Sequence, residues 1–202
     1  LLSIWQGKYN GVPPFDKIRT SDFKPALESA MRISKEEIHR ININPLAPNF
    51  ENTIGALEKS GTILSQVTSM FSLWGGNMND ATFQGVDAEM QPILAAFFDQ
   101  FIQNDTLFKK IESVYKSEAM KSLNPEQKRL VWKYYSDFVF NGAKLNSEQK
   151  SKVEEINQKL ATLFTRFGQN LLHDESKIYL SINEAQLSLL PDGIKAAAIE
   201  RA

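Results

Sequence analysis

Residues 147–171, SEQKSKVEEINQKLATLFTRFGQNL, form the most regularly patterned stretch of the chain. Apolar side chains recur in it at steps of three and four residues: Val153, Ile156, Leu160, Leu163, Phe167 and Leu171. Such steps place all of them on one face of an α-helix. Lys, Glu, Gln and Asn fill the opposite face, so the stretch predicts an amphipathic, half-exposed helix that Asn146 or Ser147 caps.

The same helical period runs through the chain upstream of this stretch. It predicts five further helices: one from a cap at Ser21 or Asp22 to Asn44, one from residues 51–53 to about Trp74, one carrying Phe83 to Phe101, one over about residues 105–116, and one from the cap Asn124 to Asn141-Gly142. Gly61 lies on the apolar stripe of the second helix, and we expect it to permit the close approach of a neighbouring helix. The pattern therefore predicts an all-α fold after an extended lead-in over residues 1–20.

The period changes only near the end of the sequence. Residues 177–182 alternate apolar and polar side chains and predict one short β-strand, while residues 194–202 again predict a helix. A lone strand cannot satisfy its own backbone groups, so its partners are expected outside this segment. We expect residues 1–202 to be the helical N-terminal domain of a longer protein, with residues 21–173 helical and residues 177–202 beginning the next subdomain.

The composition excludes several classes of function. The chain has 202 residues, a formal net charge of −1 and 42% hydrophobic residues, which are typical of a folded protein without a basic face for nucleic acid or an anionic membrane surface. No apolar run is long enough to span a bilayer. The absence of cysteine excludes disulfides and thiolate metal sites, and it fits a cytoplasmic protein or a cysteine-free periplasmic one.

The two histidines, His39 and His173, lie far apart in the sequence. A His-Glu-x-x-His zinc helix needs two imidazoles one turn apart with a glutamate between them, and the sequence contains no such motif. Glu36 and His39 have the Glu-x-x-His spacing of di-metal sites, but such sites need a second pair and two further glutamates. We interpret this pair as a solvated helix surface. His173, followed by Asp174-Glu175 at a helix end, has no nucleophile near it in the sequence, so a catalytic role is not expected.

Aromatic residues cluster in the helix that follows Asn124, at Trp132, Tyr134, Tyr135, Phe138 and Phe140. Aromatic residues at helical spacing usually belong to a core, and an exposed member would be available to line a peptide-binding wall. The basic residues of this helix, Lys128, Arg129 and Lys133, are too few and too mixed with acids for a nucleic-acid patch. No phosphate loop, nucleophile elbow or dinucleotide fingerprint occurs. The residues alone predict no catalytic or metal-binding side chain and leave the substrate-binding positions unknown.

Four stretches, in order along the chain, carry a resemblance to a known family. They are WQGKY, VPPFDKI and DFKPALE within residues 5–28; NFENTI and ALEKSG within residues 49–61; LNPEQKRL, KYY and DFV within residues 123–139; and FGQNLL at residues 167–172. Together they resemble the N-terminal part of the thimet oligopeptidase family of zinc metallopeptidases. The stretches Phe15-Asp16 and 167–170 are more similar to the branch that releases C-terminal dipeptides than to the oligopeptidase A branch.

The resemblance implies a longer, zincin-type protein in which two helical lobes enclose a deep channel for short, unstructured peptides. In that family zinc is held by the histidines of His-Glu-x-x-His and a later glutamate, and the glutamate of the motif activates the metal-bound water. None of these positions occurs in the present sequence, so no catalytic or metal residue carries over and the zinc ligands are expected outside this segment. The chain would then form part of the channel wall and be inactive alone.

The expected partners follow from the same resemblance. The expected partners are short peptides and the remaining catalytic domain of the same chain, without nucleic acid or a membrane span. The cytoplasm is the expected compartment, with the periplasm as the alternative. Two other functions stay open: an oligopeptidase A-like endopeptidase of the same family, and a freestanding helical interaction module without enzymatic activity.

Overall fold

A computed structural model of the protein describes residues 1–3, 5–6, 11–178 and 182–200. Nine α-helices lie within these ranges: α1 (Phe23–Ile43), α2 (Gly55–Lys59), α3 (Thr62–Asn77), α4 (Ala81–Ile102), α5 (Asp105–Lys116), α6 (Pro125–Phe140), α7 (Ser147–Lys177), α8 (Glu184–Ser188) and α9 (Asp192–Glu200). A π-helical turn, Phe50–Ile54, leads into α2, and short 3₁₀ segments lie at Phe15–Lys17, Thr20–Asp22 and Glu118–Ser122. These described ranges contain no strand, which confirms the all-α prediction.

The chain divides into two compact units, Leu1–Arg166 and Phe167–Ala202. The first unit contains α1 to α6 and the N-terminal two thirds of α7, and it holds both hydrophobic cores. The described part of the second unit consists of the last turns of α7 together with α8 and α9. The division expected from the sequence, with a helical domain over residues 21–173, stays a prediction.

One hydrophobic core forms where the N-terminal half of α1 packs against α3 and α4. Phe23 is fully buried at its centre, with its ring 5.5 Å from Phe71, 5.4 Å from Trp74 and 5.6 Å from Phe83 between centroids. Aromatic pairs at such distances add about 0.5–1.5 kcal/mol each to the effect of burial. The first turn of α1 is therefore fixed by aromatic contacts from two other helices.

A second core forms around the C-terminal half of α1, where α2, α5 and α6 meet. Leu107, Ile111 and Val131 are fully buried in it, and Phe138 lies against Phe101 with ring centroids 5.2 Å apart. Because α1 contributes Phe23 to one core and Ile38 to the other, this helix connects the two. The 21 residues of α1 are needed for that connection, since they span about 30 Å at 1.5 Å per residue.

The predicted helix from residues 51–53 to Trp74 is wrong as one continuous element. The chain forms the π-helical turn and α2, breaks at Ser60-Gly61, and starts again as α3. Gly61 has a φ of 71°, in the left-handed region that favours glycine, and its backbone N–H donates to Glu37 Oε2 at 2.7 Å. No atom lies within 4 Å of the position that a Cβ at Gly61 would take, so the expected close approach is also wrong. That close approach occurs instead at Gly75, where a Cβ would lie 3.2 Å from Phe83 Cε1.

Amide side chains start several of the helices. Asn124 Oδ1 accepts from the backbone N–H of Gln127 at 2.8 Å, and Gln127 Oε1 accepts from the N–H of Asn124 at 3.1 Å. The same reciprocal pair starts α7 at Asn146 and Gln149. Each pair satisfies two backbone donors that a helix start leaves without partners. The sequence prediction of helix starts at Asn124 and Asn146 is confirmed.

The predicted strand over residues 177–182 falls partly outside the described residues. Lys177 is the last residue of α7, so at this position the strand prediction is wrong. Residues 179–181 lie outside the described ranges. Farther on, Asn183 caps α8 through the N–H of Gln186 at 2.9 Å, and the predicted helix after Pro191 is confirmed as α9.

No helix in the described part of the chain has both the length and the apolar character to cross a membrane. The longest, α7, has 31 residues but carries charged side chains along most of its length.

Candidate functional site

Glu36 and His39, the pair with metal-site spacing, both lie on the exposed side of α1. Glu36 Oε1 accepts a hydrogen bond from Arg32 Nη1 at 2.8 Å, one helical turn away. His39 lies at the edge of a small cavity with Asn42 and Asn104 rather than beside another metal ligand. The structure therefore does not bring the two residues together with further carboxylates.

His173 lies on α7, which continues for four residues beyond it to Lys177. Its side chain is exposed, as are those of Asp174 and Glu175. The structure thus places these three residues on a continuing helix surface and not at the helix end that the sequence predicts.

No cluster of three or more His, Cys, Asp or Glu side chains within the described ranges could hold a metal ion. The zinc that the family resemblance implies needs at least three protein ligands around one point. The described residues therefore do not fit such a site.

The aromatic residues of α6 divide between the core and the surface. Phe138 is buried, and Tyr135 stacks on Tyr115 with ring centroids 4.0 Å apart. Tyr134 is half-buried and donates from its hydroxyl to Glu58 Oε2 at 2.8 Å, while burial and this carboxylate raise the pKa of the tyrosine. Phe140 is 90% exposed. The expectation that this cluster belongs to the core therefore holds for only part of it.

The basic residues of α6 contact neighbours on their own helix. The Arg129 guanidinium lies over the ring of Trp132, 4.4 Å from its centroid, and Lys133 pairs with Asp137. A cation over an exposed ring is worth about 0.5–1 kcal/mol. These contacts occupy Arg129 and Lys133 within the helix and do not build a continuous basic surface.

A groove runs along the surface between α1 and α4. Its larger part has a volume of about 590 Å³ and lies among the side chains of Glu28, Met31, Arg32, Lys35, Pro92, Ile93, Ala96, Phe97, Gln100 and Gln158. Its smaller part has a volume of about 270 Å³ and reaches to His39, Asn42, Phe101 and Asn104. Lys35, Phe97 and Gln100 line both parts, so the two adjoin at these residues, and we call them together the α1–α4 groove.

The α1–α4 groove has an apolar floor and a polar rim. Phe97 and Met31 belong to the first core and form the floor, and Ile93 is 40% exposed on it. On the rim, the Lys35 ammonium group lies 5.8 Å from the centroid of the Phe97 ring. The combination of an apolar surface with a few polar groups is typical of ligand sites, whose volumes run from about 300 to 1,000 Å³.

Polar contacts attach the N-terminal half of α7 to α4 and to the first residue of α5. Asn157 Nδ2 donates to Asp99 Oδ1 at 2.6 Å, and Lys150 pairs with Asp105. Burial raises the pKa of Asp99, although the hydrogen bond from Asn157 acts in the opposite direction. The other carboxylate oxygen of Asp99 is buried and has no hydrogen-bond partner among the described groups.

Most of the large apolar side chains of α7 in the first unit are exposed. Ile156 is 54% exposed and Phe164 is 69% exposed, and Leu160 and Leu163 are exposed as well. The apolar stripe predicted from the sequence is present on α7, but most of its side chains in this unit are exposed. In the second unit, Phe167, Leu171 and Leu172 are also exposed.

Sequence reasoning did not find the groove residues as a set. In the sequence, Phe97 lies within the helical pattern from Phe83 to Phe101, and no motif distinguishes Lys35 or Gln100. The groove requires that α1 and α4 lie side by side, and no local pattern states which two helices do so.

Comparisons with known proteins identify relatives for nearly the whole chain. Dipeptidyl carboxypeptidase of Escherichia coli is 35% identical over 192 residues, which cover 94% of this chain and 28% of the relative. Dipeptidyl carboxypeptidase of Salmonella typhimurium is 34% identical over 92% of this chain and 28% of its own length. Oligopeptidase A of Escherichia coli is 24% identical over 93% of this chain and 28% of the relative. No family model matches the chain.

These relatives are peptidases, and they confirm the resemblance to the thimet oligopeptidase family. The chain spans about 28% of the length of the relatives it matches and corresponds to their N-terminal part. Within the family it is similar to dipeptidyl carboxypeptidase at 34–35% identity, compared with 24% for the oligopeptidase A of Escherichia coli.

Proposed function

We propose that this chain is the N-terminal, non-catalytic part of a zinc metallopeptidase that releases C-terminal dipeptides from short peptides. The observation that carries the proposal is the similarity to two dipeptidyl carboxypeptidases over 92–94% of the chain. The all-α architecture supports it, since the resemblance implies a helical lobe that forms part of the channel wall. Within the full protein, this lobe admits unstructured peptides and excludes folded proteins by the width of the channel.

Dipeptide release is preferred to the internal cleavage of an oligopeptidase A-like enzyme. The support is the difference in identity, 34–35% against 24%, over almost the same share of the chain. The two activities differ in their first product, because a dipeptidyl carboxypeptidase removes two residues from the C-terminus and an endopeptidase cuts inside the peptide. Product analysis therefore separates the two alternatives.

The zinc ion and its ligands belong to the part of the protein outside this segment. The described residues offer no three-ligand cluster, which supports this placement. If bound there, zinc would supply a Lewis acid for the hydrolysis. The role of this chain is then to bind and orient the substrate and to limit access to the site. The proposed compartment is the cytoplasm.

The exposed apolar side of α7 is the proposed contact with the remaining catalytic domain. In the first unit, Ile156, Leu163 and Phe164 expose more than half of their surface. A contiguous exposed apolar surface on one helix usually marks an interaction site. A domain that covers these side chains would remove them from water, which contributes about 25 cal/mol for each Å² of apolar surface buried.

The function is tested on the full-length protein with an N-acetylated octapeptide as substrate, with mass spectrometry of the products. We expect the first product pair to be a C-terminal dipeptide and an acetylated hexapeptide, and we expect a chelator to stop the reaction and zinc to restore it. An acetylated tripeptide or tetrapeptide as the first product would favour the endopeptidase alternative. Activity that survives exhaustive chelation would contradict the assignment of zinc.

The contact proposed for α7 is tested by dye binding. The 202-residue chain is expected to bind an apolar dye, and a Leu163→Gln, Phe164→Gln double variant is expected to bind it less. The matched control is a Lys152→Gln, Lys159→Gln double variant on the same helix, which leaves the apolar side chains in place. Equal dye binding by all three proteins would indicate a covered stripe and favour the freestanding helical module.

A further inference from the structure

The α1–α4 groove has the length of an extended peptide segment. It reaches along α1 from Glu28 to Asn42, which is about 21 Å at 1.5 Å per residue. An extended chain advances about 3.3 Å per residue, so about six peptide residues fit along the groove. A compact small molecule would leave most of this length empty.

The floor of the groove offers a place for an apolar side chain. Ile93 is 40% exposed there although it is aliphatic, and Phe97 and Met31 lie beside it. An apolar side chain of a peptide laid on this floor would remove both its own surface and that of Ile93 from water. The floor therefore favours a peptide with an aliphatic or aromatic residue at this point.

The rim next to the floor carries a cation without an acidic partner. Lys35 lies against Phe97 and forms no ion pair with any carboxylate of the described residues, whereas the neighbouring Arg32 is paired with Glu36 at 2.8 Å. Glu28 lies two turns away along α1, about 10 Å, which is close to the distance over which salt screens charges. The local charge at the middle of the groove is therefore positive and complements an acidic side chain.

The end of the groove near Asn42 offers amide groups. Asn42 Nδ2 donates to Asn104 Oδ1 at 3.3 Å, and Asn42 Oδ1 is buried without a hydrogen-bond partner among the described groups. The side chain of Gln100, which lines both parts of the groove, is exposed. Of these amides, the exposed Gln100 can both donate to and accept from the backbone of an extended peptide.

We propose that the α1–α4 groove binds the upstream, uncleaved part of the peptide substrate, with an apolar side chain on Ile93 and Phe97 and an acidic side chain at Lys35. This inference rests on the proposed function, because it assigns part of the peptide of that enzyme to this lobe. It predicts a preference for an acidic residue upstream of the scissile bond, set by a lysine of this chain.

The test uses the full-length protein and sets of three octapeptides. Within a set the peptides differ only in one upstream residue, which is Glu, Gln or Lys, and each set varies a different upstream position. We measure KM and kcat for the wild-type protein and for Lys35→Glu and Lys35→Gln. The control is Lys109→Glu, which makes the same change in net charge on the exposed side of α5, outside the groove.

At one upstream position we expect Lys35→Glu to raise KM about three-fold for the Glu peptide and to lower it for the Lys peptide. A three-fold change corresponds to about 0.7 kcal/mol, which is the size expected of an exposed ion pair. Lys35→Gln should abolish the preference without reversing it, kcat should stay nearly constant, and Lys109→Glu should leave the ratio of KM values unchanged. An Ile93→Ser variant should raise KM for all three peptides.

Two results overturn the inference without touching the proposed function, and a third overturns both. The groove is not the site if the ratio of KM values in Lys35→Glu matches the wild type at every position, or if Lys109→Glu shifts it equally. In both cases the wild-type protein still releases dipeptides, so the proposed function stands. If the wild-type protein releases no dipeptide from any of these peptides, the proposed function fails, and the groove assignment fails with it.

Discussion

Helices α5 and α7 carry the same kind of apolar stripe, but the stripe is buried in α5 and exposed in α7. In α5, Leu107, Phe108, Ile111 and Val114 are all buried against α1, α6 and the π-helical turn. In the first-unit part of α7, Ile156, Leu160, Leu163 and Phe164 are all exposed. An apolar period therefore predicts a helix with an apolar face, whereas the burial of that face depends on whether another element packs against it.

The two helices are also held by different forces. The 12 residues of α5 are fixed by apolar burial in the second core. The N-terminal half of α7 is attached through Asn157 to Asp99 and through Lys150 to Asp105 and Gln103. Apolar burial is insensitive to pH, whereas pairs of charged and polar groups respond to both pH and salt. The attachment of α7 is therefore the part of the first unit most open to change by solution conditions.

The largest expected effect is from a pair of identical substitutions, Ile111→Ala in α5 and Ile156→Ala in α7. Ile111 is 0% exposed and Ile156 is 54% exposed. We expect Ile111→Ala to lower the free energy of unfolding by about 2–5 kcal/mol, because it removes buried atoms and leaves a cavity. Ile156→Ala should change it by about 0.5 kcal/mol or less. Urea unfolding of the two variants measures both values, and equal losses would show that the stripe of α7 is covered.

A smaller effect is expected at the helix starts. Asn124→Ala removes the cap of α6, a helix packed in the second core, and should lower the free energy of unfolding by about 1 kcal/mol. Asn146→Ala removes the same kind of cap from α7. Because less of the core depends on α7, the main result of Asn146→Ala should be faster hydrogen exchange in the first turn of α7. Hydrogen exchange with mass spectrometry distinguishes the local from the global loss, and a purely local response to Asn124→Ala would contradict the comparison.

The smallest effect concerns the attachment of α7 and its dependence on pH. Burial raises the pKa of Asp99, so its ionised form is penalised in the folded state. The stability that comes from the protonated form is present at low pH and is lost as pH rises through the pKa of the folded state. Asp99→Asn keeps an acceptor for Asn157 and should make the fold slightly more stable at neutral pH, by about 0.5 kcal/mol or less. That gain should vanish as the pH falls to 3 in urea unfolding, and Asp137→Asn is the control.

Most of the helices could be predicted because their ends carry their own chemical signals. The predicted range 105–116 matches α5, and the Asn124-Pro125 start and the Asn141-Gly142 stop match α6. The break at Gly61 was missed for a physical reason. Leu57 and Leu64 are seven residues apart, which is two helical turns, so the stripe stays in phase across the break. Periodicity alone cannot show that the chain has left the helix between them.

The candidate site could not be predicted for a different reason. Lys35 and Phe97 lie 62 residues apart in the sequence, and their contact depends on how α1 packs against α4. The spacing of Glu36 and His39 can be read from the sequence because both lie on one helix, although the structure leaves both on an exposed helix side. A spacing rule finds sites built on one helix, and the α1–α4 groove is built on two.

Amide side chains cap the starts of four helices, and this affects how these starts respond to acid. The caps of α5, α6, α7 and α8 are the amides Asn104, Asn124, Asn146 and Asn183, which carry no titratable proton. The cap of α4 is the carboxylate Asp80, whose Oδ1 accepts from the N–H of Phe83 at 2.8 Å. Amide caps give up the attraction between a carboxylate and the helix dipole, but they keep their hydrogen bonds at any pH. The starts of α5, α6, α7 and α8 therefore keep hydrogen bonds that do not depend on the protonation of a side chain.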